Sequence, residues 1–271
     1  MQDHYLLGRS SRELVRLERQ AALIEAETEA LFRRAGIGRG DSVLEIGSGA
    51  GDVAMLLGRL VGPAGAVLGV ERAADSAALA AARIAAVGDL AVQIEVADLN
   101  TFVPTKRFDA LVGRFILPYL EDPVGTLARL IGHVRPGGAI AFMEFDVRQI
   151  GSAPEVPLLS EIGRWIVGAY EYRGVAPGLG SSLGATFRAA GLPWPELAAF
   201  QKSSCGPGGI IWYFEQLVRT LAPEIVAAGL ATEAEIAAAL RDGRLEAEGI
   251  ARGATFYGPR WVSGWTHVPS G

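Results

Sequence analysis

A run of branched apolar residues that ends in a glycine turn constrains this chain more than any other stretch. Residues 43–52 read VLEIGSGAGD, with glycines at positions 47, 49 and 51, and a helical pattern begins at Asp52. Glycine adopts the left-handed backbone conformations of a tight turn, and the free amides of a helix N-terminus face polar or anionic groups. We therefore predict a buried strand, a tight turn and a helix N-terminus that approaches a ligand.

Short apolar segments alternate with helical patterns up to residue 146. An amphipathic helix is predicted first, at residues 10–35. Strands are then predicted at 41–46, 66–70, 92–96, 109–113 and 139–145, with helices at 52–61, 75–86 and 123–134 and a turn at 135–138. This alternation is typical of a parallel sheet that helices cover on both faces.

The alternation stops after residue 146. Helices are predicted at 155–173, 181–190, 210–228 and 232–251, and two further strands at 197–203 and 260–266. The prediction is therefore an α/β fold with a Rossmann-like, seven-stranded, mostly parallel sheet, an N-terminal helix and a helical cap over the ligand cleft. It divides the chain into an N-terminal segment and lid helix (1–36), a ligand-binding core (37–146) and the cap insertions with the last two strands (147–271).

Composition excludes several classes of partner. The formal net charge is -5, and no Lys/Arg cluster is present that would bind a nucleic acid. Cys205 is the only cysteine, which fits a reducing compartment, and charged residues interrupt the first 20 positions where a signal peptide would be apolar. We expect a cytoplasmic protein that neither enters a membrane nor binds nucleic acid, as a monomer or a homodimer.

The glycine spacing separates two kinds of cofactor site. A dinucleotide fingerprint that starts at Gly47 requires a third glycine at position 52, which is Asp52. Glu71, at the end of the second predicted strand, is placed to accept both hydroxyls of a ribose, and it repels a 2′-phosphate. A nucleotide-dependent oxidoreductase is therefore disfavoured, although the residues alone leave it open.

Residues 45–51 resemble motif I of the class I S-adenosylmethionine (SAM) dependent methyltransferases, and the resemblance extends over residues 40–146. It implies that Asp98 accepts from the adenine amino group and that the Leu99 amide donates to the ring. It also implies SAM as cofactor and S-adenosylhomocysteine as product. The predicted cofactor-binding residues are Tyr5, Glu45, Gly47, Gly49, Gly51, Glu71, Arg72, Asp98, Leu99, Arg114 and Phe115.

Several outer segments are similar to a bacterial subgroup of small-molecule methyltransferases. They are residues 5–10, 108–123, 135–138, 142–146 and 258–262. The resemblance implies a small-molecule substrate in specialised metabolism, and it leaves open the acceptor and whether carbon, oxygen or nitrogen is methylated.

The segment after the fourth predicted strand narrows the chemistry. Enzymes that methylate the amino groups of nucleobases or Gln side chains often carry an N/D-P-P-Y/F motif there, whereas this chain has Gly113-Arg114-Phe115-Ile116. Arg114 lies where metal-dependent enzymes place a carboxylate, so we predict no metal site. Glu144, Asp146, Tyr5 and Tyr119 are the candidates to orient or deprotonate the acceptor, and Glu144 is the first choice. Arg114 is predicted to hold either Glu144 or the SAM carboxylate.

Aromatic residues of the cap favour an apolar or aromatic acceptor. The predicted substrate-binding residues are Tyr119, Trp165, Tyr170, Trp212 and Tyr213, each of which is also suited to core packing. The resulting hypothesis is metal-independent methyl transfer from SAM to an aromatic or hydrophobic small molecule, by in-line displacement. The alternative is a SAM- or nucleoside-binding module without catalysis.

Overall fold

The computed structural model describes residues 11–241 and 243–270, with side chains from residue 22 onward. The helices are α1 (Ser11–Arg34), α2 (Asp52–Val61), α3 (Ala74–Val87), α4 (Pro123–Ile131), α5 (Pro157–Tyr172), α6 (Leu179–Ala189), α7 (Ile211–Ala227), α8 (Glu233–Ala239) and α9 (Arg244–Arg252). The strands are β1 (Ser42–Ile46), β2 (Ala66–Glu71), β3 (Val92–Val96), β4 (Phe108–Arg114), β5 (Val134–Asp146), β6 (Gly151–Ala153), β7 (Glu196–Cys205) and β8 (Thr255–His267).

The chain forms two compact units. The first, here called the core unit, comprises Leu17–Glu144, Ser182–Ala198 and the chain from Val262 onward. The second, here called the helical unit, includes Phe145–Ser181 and Ala199–Trp261.

A parallel sheet organises the core unit. Its strands lie in the order β3-β2-β1-β4-β5, with the end of β8 beside β5. Strand β1 lies in the middle of this order, and four of its five residues are buried. This burial is expected for an apolar strand that is covered on both faces. Since β1 to β5 run parallel, their carboxyl ends meet at one edge, where open α/β sheets bind ligands.

The two faces of this sheet carry different side chains. Glu45, Val112 and Ala141 are in register across β1, β4 and β5, and Arg114 and Met143 follow on the same face. The opposite face includes Phe142, whose ring meets that of Phe187 from α6 edge-on at 6.0 Å. Successive strand residues point to opposite faces, so this register decides which polar groups lie together at the edge.

The helical unit has its own apolar core. Helices α5 and α7 bury large side chains, including Trp165, Tyr213 and Phe214. The short strand β6 pairs antiparallel with the start of β8. Helix α8 begins with a capping box in which Thr232 and Glu235 each bond the other's backbone amide.

The predicted fold class is confirmed, and the structure corrects three details. Among the described residues the sheet has eight strands, because the short strand β6 joins the seven that were predicted. Residues 135–138, predicted as a turn, belong to β5, and a register shift between Phe108 and Ala110 accommodates them. The helix predicted at 232–251 is two helices, because Gly243 adopts φ 69° and starts a new one.

Candidate active site

The glycine turn lies at the carboxyl edge of the sheet, between β1 and α2. Gly47, Gly49 and Gly51 have φ angles of 74°, 53° and 84°, which is the left-handed region that glycine tolerates. A Cβ atom on Gly47 would lie 2.6 Å from side-chain atoms of Ile116. The N–H groups of Gly47 and Ser48 both donate to the carbonyl of Val70. Backbone conformation and close packing therefore both require glycine at position 47.

Glu71 joins β2 to the glycine turn. Its side chain is 6% exposed. Oε2 accepts from the amide of Gly49 at 2.9 Å, and Oε1 accepts from the amide of Ala73 at 2.8 Å. Each carboxylate oxygen has a second lone pair, so this arrangement can still accept two hydroxyl groups. The neighbouring Arg72 is exposed.

Glu45 is a buried acid one residue before the end of β1. Its side chain is 1% exposed, and Oε2 accepts from the hydroxyl of Ser48 at 2.9 Å. Burial raises the pKa of Glu45 to about 8, although the bond from Ser48 and the charge of Arg114 favour the ionised form. Gly69 leaves room for this pair, because a Cβ there would lie 2.4 Å from Ser48 Oγ. The site thus holds an acid that is mostly neutral near pH 7 and ionises readily beside a cation.

Asp98 and Leu99 follow the end of β3. Asp98 is exposed, and its Oδ1 accepts from the amide of Asn100 at 2.9 Å. Leu99 is buried, and its carbonyl accepts from the guanidinium of Arg129 on α4. Arg129 also bonds the carbonyl of Phe102, so α4 holds the loop that carries Asp98 and Leu99.

Arg114 and Phe115 end β4 in an unusual backbone conformation. Phe115 has φ 57°, which is uncommon for a residue other than glycine, and its amide donates to the carbonyl of Met143. The Arg114 guanidinium lies 5.9 Å from the centre of the Phe115 ring and donates to the hydroxyl of Thr28 at 3.1 Å. Burial lowers the pKa of Arg114, and the charges of Asp52, Glu45 and Glu25 oppose that shift.

Glu144 is fully buried on the opposite face of the sheet. Its Oε1 accepts from the amides of Ile116 at 3.2 Å and Leu117 at 3.0 Å. Within the part of the chain that the structure describes, Oε2 has no hydrogen-bond partner. Burial raises the pKa of Glu144 to about 8, and the two amide bonds partly offset that rise. Glu144 therefore has one oxygen anchored by backbone amides and one buried oxygen without a hydrogen-bond partner among the described residues.

The predicted pairing of Arg114 with Glu144 does not form. Arg114 is in register with Met143, so Glu144, one residue later, points to the other face. The other role predicted for Arg114, which is to bind the carboxylate of SAM, stays a prediction.

Asp146, another acid at the end of β5, has a structural role in the helical unit. It accepts from the Arg148 guanidinium, the Arg148 amide and the Ser181 hydroxyl. Burial would raise the pKa of Asp146, but these bonds and the charge of Arg148 outweigh it and hold the pKa below its ordinary value. A carboxylate that is already occupied in this way is a poor base.

The aromatic residues predicted to bind substrate are distributed over both units. In the helical unit, Trp165 and Tyr170 lie on α5 and are each 5% exposed, and Trp212 and Tyr213 lie on α7 with their rings edge-on at 6.0 Å. Tyr119 belongs to a single helical turn after β4 in the core unit. Tyr5 lies outside the described residues.

Sequence reasoning missed three side chains that shape the site. Ser48 bonds Glu45, Thr28 bonds Arg114, and Arg83 from α3 bonds both the carbonyl of Ala50 and the carboxylate of Asp52. Only Ser48 carried a local signal, because a hydroxyl three residues after a buried acid is within reach of it. Thr28 and Arg83 reach the site from distant helices, which spacing along the chain does not reveal.

No group of three or more His, Cys, Asp or Glu side chains that could hold a metal ion occurs among residues that the structure describes. None of the helices described combines the length and apolar character needed to cross a bilayer.

Comparison with known proteins identifies a family and a fold. A family model described as a methyltransferase domain matches residues 16–193. No curated protein matches the chain. A candidate methyltransferase from Bacillus halodurans superposes with a TM-score of 0.60 at 16% identity, covering 90% of this chain and 99% of that one.

Two further solved structures share the fold. Phosphoethanolamine N-methyltransferase 2 of Haemonchus contortus, solved with phosphomonomethylethanolamine and S-adenosylhomocysteine, gives a TM-score of 0.55 at 15% identity, covering 90% of this chain and 52% of that one. A candidate sarcosine dimethylglycine methyltransferase from Galdieria sulphuraria gives 0.56 at 13% identity, covering 93% and 87%. At these identities the likeness concerns the fold.

Proposed function

This chain belongs to the family of SAM-dependent methyltransferases, and from that premise we propose that it methylates an aromatic or otherwise hydrophobic small molecule without a metal ion. The enzyme has the Rossmann-like fold of class I, and its cofactor is SAM. The acceptor, the chemical step and the roles of individual residues are the proposed part.

The hydrogen bond between Glu71 and Gly49 is the observation that carries the assignment of the cofactor site. This bond holds the Glu71 carboxylate against the glycine turn, at the edge of the sheet where open α/β folds bind ligands, and it supports the assignment. We propose that Glu71 binds the ribose and that Asp98 and the Leu99 amide bind the adenine. We propose that the turn glycines, Arg72 and Phe115 complete the nucleoside pocket, and Tyr5, which lies outside the described residues, stays a predicted cofactor-binding residue.

The methionine end of the cofactor would be held by a complementary pair. Its ammonium group suits Glu45, whose buried carboxyl has no positive partner within ion-pair distance among the described residues. Its carboxylate suits Arg114, a guanidinium that forms no ion pair with a described acid. The charges on the protein are thus the opposites of those on the amino acid part of SAM.

Bound SAM supplies an activated methyl group on a sulfonium. The protein contributes mainly alignment, which accelerates well-oriented reactions by up to about 7–11 kcal/mol of barrier. We propose that the ionised form of Glu144 accepts a hydrogen bond from the acceptor through Oε2 and takes its proton where the nucleophile must lose one. Its pKa of about 8 suits proton transfer near neutral pH.

We propose that five aromatic side chains select the acceptor: Tyr119, Trp165, Tyr170, Trp212 and Tyr213. Support for this assignment comes from their aromatic character. The ligand phosphomonomethylethanolamine in the Haemonchus contortus structure is a small molecule too, although a charged one. We further propose a cytoplasmic enzyme of specialised metabolism, as a monomer or homodimer, with the predicted division into residues 1–36, 37–146 and 147–271. The single cysteine supports the reducing compartment.

Thermal unfolding with SAM, S-adenosylhomocysteine and NADH tests the cofactor assignment. We expect the first two to raise the melting temperature and NADH to leave it unchanged. Incubation with SAM and a panel of phenols, amines and apolar heterocycles then tests the reaction. Stabilisation by SAM without turnover over the whole panel would favour a binding module, and competition by NADH would favour an oxidoreductase.

A further inference from the structure

Helix α1 reaches the cofactor edge of the core unit through one buried hydroxyl. Thr28 is 0% exposed, and its Oγ1 lies 3.1 Å from Nη1 of Arg114. Neither the family match nor the sequence pattern assigns a role to Thr28, which reads as one more position on the apolar face of α1.

The geometry defines the direction of this hydrogen bond. The Thr28 hydroxyl donates its only proton to the carbonyl of Ile24 at 2.8 Å, while the sulfur of Met143, at 3.9 Å, is a more distant and weaker acceptor. Its lone pairs are therefore left for Arg114, which can only donate. The hydroxyl is locked as an acceptor, so it holds the guanidinium in one orientation.

The hydrogen bond to Thr28 leaves most N–H groups of the Arg114 guanidinium available. A guanidinium carries five N–H groups in a planar fork, and Thr28 engages one nitrogen of it. None of the acids in the described part of the chain forms an ion pair with Arg114, although the charges of Asp52, Glu45 and Glu25 act on it. A partly buried cation without a paired anion is ready to receive a carboxylate from a ligand.

We propose that Thr28 is a positioning residue for the cofactor: it fixes Arg114 so that the remaining N–H groups of the guanidinium meet the carboxylate of the methionine moiety. This inference rests on the proposed role of Arg114. It makes α1 part of the cofactor site through a side chain that touches no cofactor atom itself.

Binding of two ligands tests the role. S-adenosylhomocysteine carries the amino acid group, whereas 5′-methylthioadenosine has the same nucleoside without it. For Thr28→Val, which replaces the hydroxyl with a methyl group, we expect calorimetry to give about tenfold weaker binding of S-adenosylhomocysteine, since a hydrogen bond to a charged group is lost. Binding of 5′-methylthioadenosine should stay within about twofold of wild type, because the nucleoside contacts are intact.

Conservative and combined variants separate positioning from packing. Thr28→Ser keeps the hydroxyl and should restore affinity for S-adenosylhomocysteine. In an Arg114→Met background, Thr28→Val should cause no further loss, because the two residues act on one interaction. If Thr28→Val does not fold, Thr28→Ala carries the same expectations.

Two outcomes overturn the inference: unchanged affinity of Thr28→Val for S-adenosylhomocysteine, or an equal loss for both ligands, which would indicate a purely structural role. If the proposed role of Arg114 is wrong, the result is distinguishable: Arg114→Met alone would bind S-adenosylhomocysteine as tightly as wild type.

Discussion

The carboxylate of Glu71 accepts a hydrogen bond from the backbone amide of Gly49 at 2.9 Å, which ties the end of β2 to the glycine turn after β1. The residue proposed to bind the ribose thus also holds the loop that approaches the cofactor. With the proposed role of Glu71, binding of the nucleoside and the conformation of the turn would be coupled through this side chain.

Replacing Glu71 should weaken cofactor binding through both roles. For Glu71→Ala we expect S-adenosylhomocysteine to bind about tenfold to a hundredfold more weakly, because hydrogen bonds to a charged group are lost. Calorimetry measures the change. Glu95→Ala is the matched control, since this acid lies exposed on β3 and has no proposed contact. Equal affinities of the two variants would contradict the assignment of Glu71.

Two glycines with positive φ separate backbone strain from close packing. Gly47 and Gly253 have φ 74° and 61°, so alanine at either position costs about 1–2 kcal/mol of backbone strain. Only at Gly47 would the new Cβ also meet Ile116, whereas nothing lies within 4 Å at Gly253. We expect Gly47→Ala to lower stability further and to abolish measurable S-adenosylhomocysteine binding, while Gly253→Ala binds normally. Urea unfolding measures the change in stability, and calorimetry measures the change in affinity for S-adenosylhomocysteine.

Cofactor binding should release a proton at neutral pH. Glu45 has a pKa of about 8 in the free protein, so it is mostly protonated at pH 7, and it must ionise to bind an ammonium group. Calorimetry of S-adenosylhomocysteine binding in buffers of different ionisation enthalpy should show release approaching one proton per ligand. Glu45→Gln should eliminate that release and Glu144→Gln should retain it. Equal release by wild type and Glu45→Gln would exclude Glu45 as the partner of the ammonium group.

The stability of the free protein should fall as the pH rises from about 4.5 to about 8. Glu144 has a pKa near 4.5 when unfolded and about 8 when folded, so the folded state binds more protons within this window. Its contribution is complete below the lower value and is lost as the pH passes through the higher one. The loss is at most about 1.4 kcal/mol per pH unit. Glu45 acts in the same direction.

Urea unfolding at pH 5, 6.5 and 8 checks this prediction. Glu144→Gln, which stays neutral, should flatten the dependence, and the double variant with Glu45→Gln should flatten it further. Parallel curves for wild type and Glu144→Gln would show that Glu144 is ionised in the folded state at neutral pH.

The cofactor half of the site was largely predictable from local patterns. The strand, turn and helix at 43–61 follow from an apolar run, three glycines and a helical period, all of which act between near neighbours in sequence. Glu45, Glu71 and Asp98 then reach one edge because parallel strands align their carboxyl ends. The structure places all three acids at that edge, two buried and one exposed.

The positions of the proposed catalytic residues depend on contacts between distant segments. Spacing along the chain placed Arg114 and Glu144 near each other but did not show that they lie on opposite faces. That outcome depends on the β4–β5 register, which shifts between Phe108 and Ala110. A change of one residue in register moves every side chain of a strand to the other face.

The sequence by itself determined where the cofactor turn lies and which acids surround it, because backbone preference and hydrophobic period are local properties. Only the tertiary structure decided that Thr28 bonds Arg114 and that Glu144 lies on the other face, with one buried oxygen that has no hydrogen-bond partner among the described residues. Those relationships arise from packing α1 on the sheet and from strand register, which join residues 86 and 28 positions apart.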